Sequence, residues 1–208
     1  MDNLIYILFV AISVPILLMA CLIEKKARQP IIFVLVGIFM SVFASEINAF
    51  LRNVLSMSAY ELTIIVTPIS EEIIKALPIF LFATIFTPKK EALFTASMAV
   101  GIGFAVLENA FYLLNSESFN MIDAIIRAFG AGLMHGMCTL LVGVGISFVK
   151  KKSKLFAVGT FALLSTAITY HGIYNMLVQS DLRAIGYLLP ISTYIPFVVW
   201  RIKKKRQK

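Results

Sequence analysis

The chain has 208 residues, of which 60% are hydrophobic and only 14% are charged, and its mean hydropathy is +0.90. A chain of this composition cannot stay soluble as a monomer, so we predict an all-α, polytopic integral membrane protein. The net charge of +8 does not indicate a nucleic-acid partner, because nearly all the cations lie in short loops between apolar runs.

Hydropathy predicts about seven transmembrane helices that form a single transmembrane domain over residues 1–208. The loops are too short to hold a soluble domain, so the function is expected to be carried out within the lipid bilayer. The first apolar run is kept as a span, because it lacks the basic start and the cleavage site of a signal peptide. The predicted spans cover roughly residues 3–23, 31–51, 61–86, 92–114, 123–149, 155–178 and 185–200.

The distribution of cations predicts the orientation of these spans. Lysines and arginines follow the first, third, fifth and seventh spans, whereas the other loops carry only Arg52 and Arg183. The positive-inside rule therefore places the N-terminus outside and the C-terminus in the cytoplasm of a multi-pass plasma-membrane protein.

The third span carries two adjacent acids, Glu71 and Glu72, with Lys75 one helical turn further on. A charge near the bilayer centre costs about 2.5 kcal/mol or more, so such residues indicate a functional site. Lys75 shares a helix face with at least one of the two acids and can partly neutralise the pair. The alternative is that the helix starts at Thr67 and that the acids only decorate an interfacial first turn.

The fourth span contains Glu108, and the small residues Gly101 and Ala105 on the same helix face are expected to clear space beside its carboxylate. Asn109 is positioned to orient that carboxylate. The alternative is that Glu108 lies at the outer interface.

The chain's two histidines lie in the next two spans, His135 in the fifth and His171 in the sixth. His171 and Asn175 are four residues apart, so they face the same side and can act on one substrate group or hold one another. Taken alone, each histidine is equally compatible with a structural hydrogen-bonding role.

The depth of these residues connects the four spans. Glu71, Glu108, His135 and His171 all lie roughly 9 to 18 Å below the outer surface, at a rise of 1.5 Å per residue. This agreement predicts a single active site in the outer half of the bilayer. Residues near the same level are expected to be supporting ion-pair members or simple interface residues: Glu46, Asn48 and Arg127.

These motifs resemble those of the PrsW family of intramembrane proteases, which is related to the type II CAAX prenyl proteases and the bacteriocin-immunity (Abi) proteins. The resemblance covers about residues 60–180, with catalytic-core helices at about 61–178. It is carried by Glu71-Glu72-x-x-Lys75, Phe104-x-x-x-Glu108-Asn109, His135 with Gly143 eight residues later, and His171-x-x-x-Asn175. The prenyl proteases and Abi proteins carry E-E-x-x-x-R and F-x-x-x-H, so their mechanism does not transfer directly to Glu108.

The resemblance implies an outer-side, site-1 cut in a single-pass membrane protein, namely an anti-sigma factor whose cleavage releases an envelope-stress sigma factor. Peptide hydrolysis needs an activated water and a group that stabilises the oxyanion. We expect Glu71 or Glu72 to be the base, with His135, His171 and Asn175 assisting the oxyanion or the leaving amine.

A zinc-dependent version would use His135 and His171 with Glu108 or Glu72 as ligands and a second glutamate as base. The chain has no H-E-x-x-H motif, so no cofactor is required by the sequence, and the metal-free glutamate mechanism is favoured over the zinc version.

Other functions remain open from the sequence. A proton- or cation-coupled transporter also uses buried Glu, His and Lys, and the cluster would serve equally in a membrane scaffold or a CAAX-protease-like immunity protein. The two cysteines, Cys21 and Cys138, indicate neither a disulfide nor a thiolate metal site, and a catalytic pair of Cys138 with His135 is disfavoured.

Overall fold

The computed structural model describes residues 4–115, 121–148 and 153–206, and within these ranges the chain forms helices and no strand. The helices are α1 (Leu4–Leu22), α2 (Lys25–Leu55), α3 (Ala59–Glu61), a π-helical segment (Leu62–Val66), α4 (Thr67–Ile85), α5 (Lys90–Leu114), α6 (Met121–Ile146), α7 (Ser153–Val178) and α8 (Arg183–Arg206).

Five helical stretches are long and apolar enough to cross a membrane: Leu4–Leu22, Ala27–Leu55, Lys90–Leu114, Ala124–Ile146 and Phe156–Val178. They correspond to the first, second, fourth, fifth and sixth predicted spans. The helices of the third and seventh predicted spans, α4 and α8, do not meet that criterion. In α4 the reason is the group of three charged residues in its first half, Glu71, Glu72 and Lys75. Orientation and any further spans stay predictions.

Helix α5 lies at the centre of the bundle, where it packs against α2 on one side and α6 on the other. Helix α6 also packs against α7, and α8 covers both of them. Helix α4 contacts α2, α6 and α7, while α1 lies at the periphery on α2 and, more lightly, on α5. This order brings the third to sixth predicted spans together around one interior.

A close backbone contact between α5 and α6 fixes the position of His135. A Cβ atom on Gly101 would overlap the backbone carbonyl oxygen of His135, which cannot move aside as a flexible side chain can. Gly101 therefore makes room for the α6 backbone and not, as predicted, for the carboxylate of Glu108. Only glycine permits helices to approach this closely.

The start of α4 is not a free helix end. Helix α3, the π-helical segment and α4 follow one another without interruption from Ala59 to Ile85, so Thr67 lies inside a continuous helical run. Asn175 of α7 donates a hydrogen bond of 3.0 Å to the Thr63 carbonyl oxygen in the π-helical segment. The reading in which Glu71 and Glu72 decorate an interfacial first turn is therefore wrong, and both side chains are buried.

Candidate active site

Four helices bring titratable side chains into one cluster. Helix α4 contributes Glu71, Glu72 and Lys75, and one residue each comes from α5, α6 and α7: Glu108, His135 and His171. The two imidazole rings meet edge to face, with centroids 4.9 Å apart and an interplanar angle of 83°. Residues separated by up to 100 positions in sequence thus share one small volume.

The closed side of the cluster consists of Glu72, Lys75 and the Nδ1 atoms of the two histidines. Lys75 Nζ lies 2.6 Å from Glu72 Oε1 and 2.8 Å from His135 Nδ1, while His171 Nδ1 lies 2.8 Å from the same Glu72 oxygen. The side chains of Glu72 and Lys75 are both 0% exposed. Lys75 also lies 4.8 Å from the centre of the Phe104 ring, a cation–π contact.

These contacts assign the hydrogens on the imidazole rings. Because a carboxylate only accepts, His171 donates from Nδ1 to Glu72 and keeps a lone pair on Nε2. Because an ammonium only donates, Lys75 donates to His135 Nδ1, so the proton of the neutral His135 ring lies on Nε2. The closed side therefore fixes the orientation of both rings.

The open side of the cluster consists of Glu71 and Glu108. His135 Nε2 lies 2.5 Å from Glu108 Oε2, and Arg127 donates a 3.3 Å hydrogen bond to Glu108 Oε1. The Glu108 side chain is 31% exposed, in contrast to the enclosed Glu72. His171 Nε2 lies 3.9 Å from Glu71 Oε2. Both carboxylates therefore face the histidines from the accessible side of the cluster.

The other oxygen of Glu71 is held by Asn48 of α2, which is in turn positioned by Ser70 of α4. Asn48 Nδ2 donates to Glu71 Oε1 at 3.4 Å, and the Asn48 amide oxygen accepts a 2.5 Å hydrogen bond from Ser70. The sequence had indicated Asn48 only as a supporting or interface residue and gave Ser70 no role. The sequence signal for Asn48 was a carboxamide inside an apolar span. The identity of its hydrogen-bond partner, however, depends on how α2 packs on α4.

A cavity of about 140 Å³ adjoins the open side. It is bounded by α1, α2, α4 and α5, and both Glu71 and Glu108 line it. The cluster is therefore reached through a pocket and is not sealed within the bundle.

Three of these residues are arranged to hold a metal ion. Glu71, His135 and His171 each offer a ligand atom, and those atoms lie within 4.8 Å of one another. Glu71 Oε2 is buried without a hydrogen-bond partner among the described residues, whereas His135 Nε2 faces Glu108 Oε2 and would have to release its proton to bind an ion. Two imidazoles and one carboxylate are a donor set of catalytic zinc sites, so the residues fit a zinc-type ion.

The carboxylate grouped with the two histidines is not the one that the sequence suggested. The sequence suggested Glu108 or Glu72 beside His135 and His171, whereas the structure groups Glu71 with them. Glu72 instead accepts from His171 Nδ1, as carboxylates do behind zinc-binding histidines.

The two predicted asparagines lie outside the reacting cluster's contacts. Asn175 donates to the Thr63 backbone and not to His171, so it ties α7 to the π-helical segment. Asn109 is buried, and its amide oxygen has no hydrogen-bond partner within the described part of the chain. Glu108 is oriented by Arg127 and His135 instead. The predicted assistance of Asn175 to an oxyanion stays a prediction.

In the comparison with protein families, residues 25–201 match the family model described as PrsW family intramembrane metalloprotease. The match includes α2 to α7 and most of α8, and therefore every residue of the cluster, but not α1. Comparisons with curated proteins and with solved structures find no match.

Proposed function

The chain belongs to the PrsW family of intramembrane metalloproteases, and from this premise we propose that it is an endopeptidase that makes an outer-side, site-1 cut in a single-pass membrane protein. By resemblance the substrate is an anti-sigma factor. The single observation that carries the proposal is the convergence of Glu71, His135 and His171 beside Glu108 at a cavity.

The position of the cluster along the bundle supports an outer-side cut. Glu71 lies near the start of α4, while Glu108 and His171 lie near the ends of α5 and α7. These helix ends meet at the end of the bundle where α1 begins. Because the positive-inside count assigns that end to the exterior of the plasma membrane, the cut is expected in the outer half of the bilayer.

Glu71, His135 and His171 are the residues that would hold the metal ion. When bound, the ion supplies a Lewis acid that polarises the scissile carbonyl group. Glu72 keeps the His171 ring in place through Nδ1, and Lys75 does the same for His135. Both rings are therefore preorganised, which lowers the cost of assembling the reacting geometry.

Glu108 is the general base and acid of the proposed reaction. Its carboxylate lies on the cavity beside His135, so it can take a proton from the attacking water and return it to the leaving amine. Glu72 is unsuited to this role, because it is fully enclosed and one of its oxygens already accepts from both Lys75 and His171.

Co-expression tests the proposed cut. The host's single-pass membrane proteins, each tagged at both ends, are expressed with the wild-type chain or with Glu108→Gln, and the products are read by mass spectrometry. We expect one or more proteins to be cut on the outer side by the wild type alone. A cut on the cytoplasmic side would overturn the orientation. Ion flux in proteoliposomes without any cleavage would favour a transporter.

Chelation tests the metal. Purified protein treated with a strong chelator is expected to lose cleavage and to regain it with stoichiometric zinc. Bound zinc, measured by mass spectrometry of the metal, should fall in His135→Ala and not in Glu91→Gln, which changes an exposed acid at the start of α5. Full activity after chelation would instead support the metal-free glutamate mechanism.

A further inference from the structure

Helix α1 forms one wall of the cavity that leads to the cluster. Ile5 of α1 lines the same cavity as Glu71 and Glu108. The family match starts at residue 25, so this wall lies outside the part of the chain that the family model describes. The cavity is thus built from the matched helices and covered by α1.

Helix α1 is held by one apolar face and by a hydrogen bond near its start. Its buried or half-buried residues pack against the apolar cluster of α2 and α5: Ile5, Leu8, Phe9, Ile12 and Ile16. The opposite face of α1 is exposed. The Tyr6 hydroxyl donates a 2.6 Å hydrogen bond to Glu46 Oε1 of α2, and this is the polar contact that, among the described residues, joins the start of α1 to the bundle beside the cavity.

The geometry of a helix limits how a substrate can be cut. In an α-helix each carbonyl oxygen accepts a hydrogen bond within the helix, and side chains enclose the backbone in a cylinder about 10–12 Å wide. A peptide bond of a substrate helix is therefore accessible to Glu71 and Glu108 only after local unwinding. Because α1 forms one wall of the cavity, α1 must move outward for such a segment to enter from that side.

The walls match an extended peptide. Ser41, Ser45 and Asn48 line the cavity from one face of α2, at spacings of four and three residues. A segment that unwinds in the membrane exposes backbone groups that lipid cannot satisfy, and such side chains replace the lost hydrogen bonds. The opposite wall is apolar, with Ile5, Phe104 and Phe111, and suits an apolar substrate side chain.

We propose that this cavity binds the unwound substrate segment next to the scissile bond, and that α1 is the movable wall that admits this segment from the lipid. The Tyr6–Glu46 hydrogen bond keeps the wall closed. This inference rests on the proposed proteolytic function, since it names where and in what conformation the substrate binds.

Thiol labelling tests the movable wall without any substrate. Ser41, which is 4% exposed, is changed to cysteine in a Cys21→Ser background, and its rate of reaction with a membrane-permeant maleimide is measured with the background rate subtracted. Removing one hydrogen bond with Tyr6→Phe is expected to raise the rate about two- to tenfold. Tyr60→Phe, a matched change at another exposed tyrosine, should leave it unchanged.

The partner bond gives an internal check. Glu46→Ala, which removes the acceptor, should raise the labelling rate in the same way, and the Tyr6→Phe/Glu46→Ala double variant should exceed neither single variant by much, because both changes remove the same interaction. Equal labelling rates in all variants would overturn the proposed role of α1.

Photo-crosslinking tests the binding site. A photoreactive phenylalanine is placed at Ile5 or Phe111 in the inactive Glu108→Gln variant and irradiated with the cleaved reporter from the co-expression assay. We expect adducts at residues next to the cut site, and none from position 158 on the exposed face of α7. Cleavage by the wild type without adducts at Ile5 or Phe111 would overturn this inference while the protease function stands.

Discussion

The closed and open sides of the cluster differ although their carboxylates are adjacent in sequence. Glu72 is fully enclosed and accepts from Lys75 and His171, whereas Glu71 borders the cavity and reaches His171 from the other side. Successive residues on an α-helix point about 100° apart, so two neighbouring acids face different surroundings. We conclude that the closed side holds the histidines in place and that the open side is where chemistry is proposed to occur.

The largest expected effect comes from neutralising the closed side. Glu72→Gln leaves Lys75 as a buried cation without its anionic partner, a change that typically costs about 3–5 kcal/mol of stability. We expect a lower unfolding temperature in detergent together with reduced cleavage, because the neutral amide is also a weaker acceptor than the carboxylate for His171 Nδ1. Thermal unfolding and the reporter cleavage assay measure the two effects.

A double variant separates charge from shape on the closed side. Glu72→Gln combined with Lys75→Met removes both charges, so stability should recover relative to Glu72→Gln alone, while cleavage stays low. A double variant as unstable as the single one would show that the pair does not act as a unit.

On the open side, a matched change should affect the reaction alone. Glu71→Gln keeps the size of the side chain and the contact with Asn48, so the unfolding temperature should change little. Cleavage should fall about 100-fold or more and bound zinc should fall with it, because the change removes a carboxylate that would bind the ion directly, and loss of an outer-shell partner alone typically costs about 10- to 100-fold. If Glu71→Gln unfolded as readily as Glu72→Gln, the distinction between the two sides would be wrong.

Smaller effects are expected at residues that hydrogen-bond to the open-side carboxylates without taking part in the proposed reaction. Arg127 donates one 3.3 Å hydrogen bond to the partly exposed Glu108, so Arg127→Gln should cost about 1 kcal/mol, or roughly fivefold in kcat. Arg52→Gln, at an exposed arginine of α2, is the control. An unchanged kcat in Arg127→Gln would mean that Arg127 only stabilises the fold.

The smallest effect is expected at Asn48. Its hydrogen bond to Glu71 is long, at 3.4 Å, so Asn48→Ala should reduce kcat about two- to fivefold. Asn53→Ala, at an exposed asparagine of the same helix, should have no effect. A loss as large as that of Glu71→Gln would mean that the contact of Asn48 with the unwound substrate segment outweighs its hydrogen bond to Glu71.

Much of the fold follows from one-dimensional patterns. Each long apolar run predicted a helix at a place where the structure has one. The spacing of Glu71, Glu72 and Lys75 predicted an intrahelical ion pair. That pair forms between Glu72 and Lys75 at 2.6 Å. Helical periodicity determines such contacts because both partners belong to one rigid element.

Contacts between helices could not be predicted in the same way. The hydrogen bonds of Lys75 to His135 and of Asn48 to Glu71 depend on the rotation of each helix about its axis, which hydropathy in lipid leaves unspecified. For the same reason the sequence named Glu108 or Glu72 as the third metal ligand where the structure groups Glu71. The turn of π-helix was also not visible in the residue pattern.

The π-helical segment Leu62–Val66 is a point at which the helical geometry of the chain can change. A π-helical turn holds one residue more than an α-helical turn, so deleting a single residue there would restore regular geometry. Helix α3 would then be rotated by about 100° relative to α4, while α2 stays packed on α5 and Glu71 keeps its place. Length changes at this point can thus redirect the loop between α2 and α3 without disturbing the carboxylates and imidazoles of the cluster.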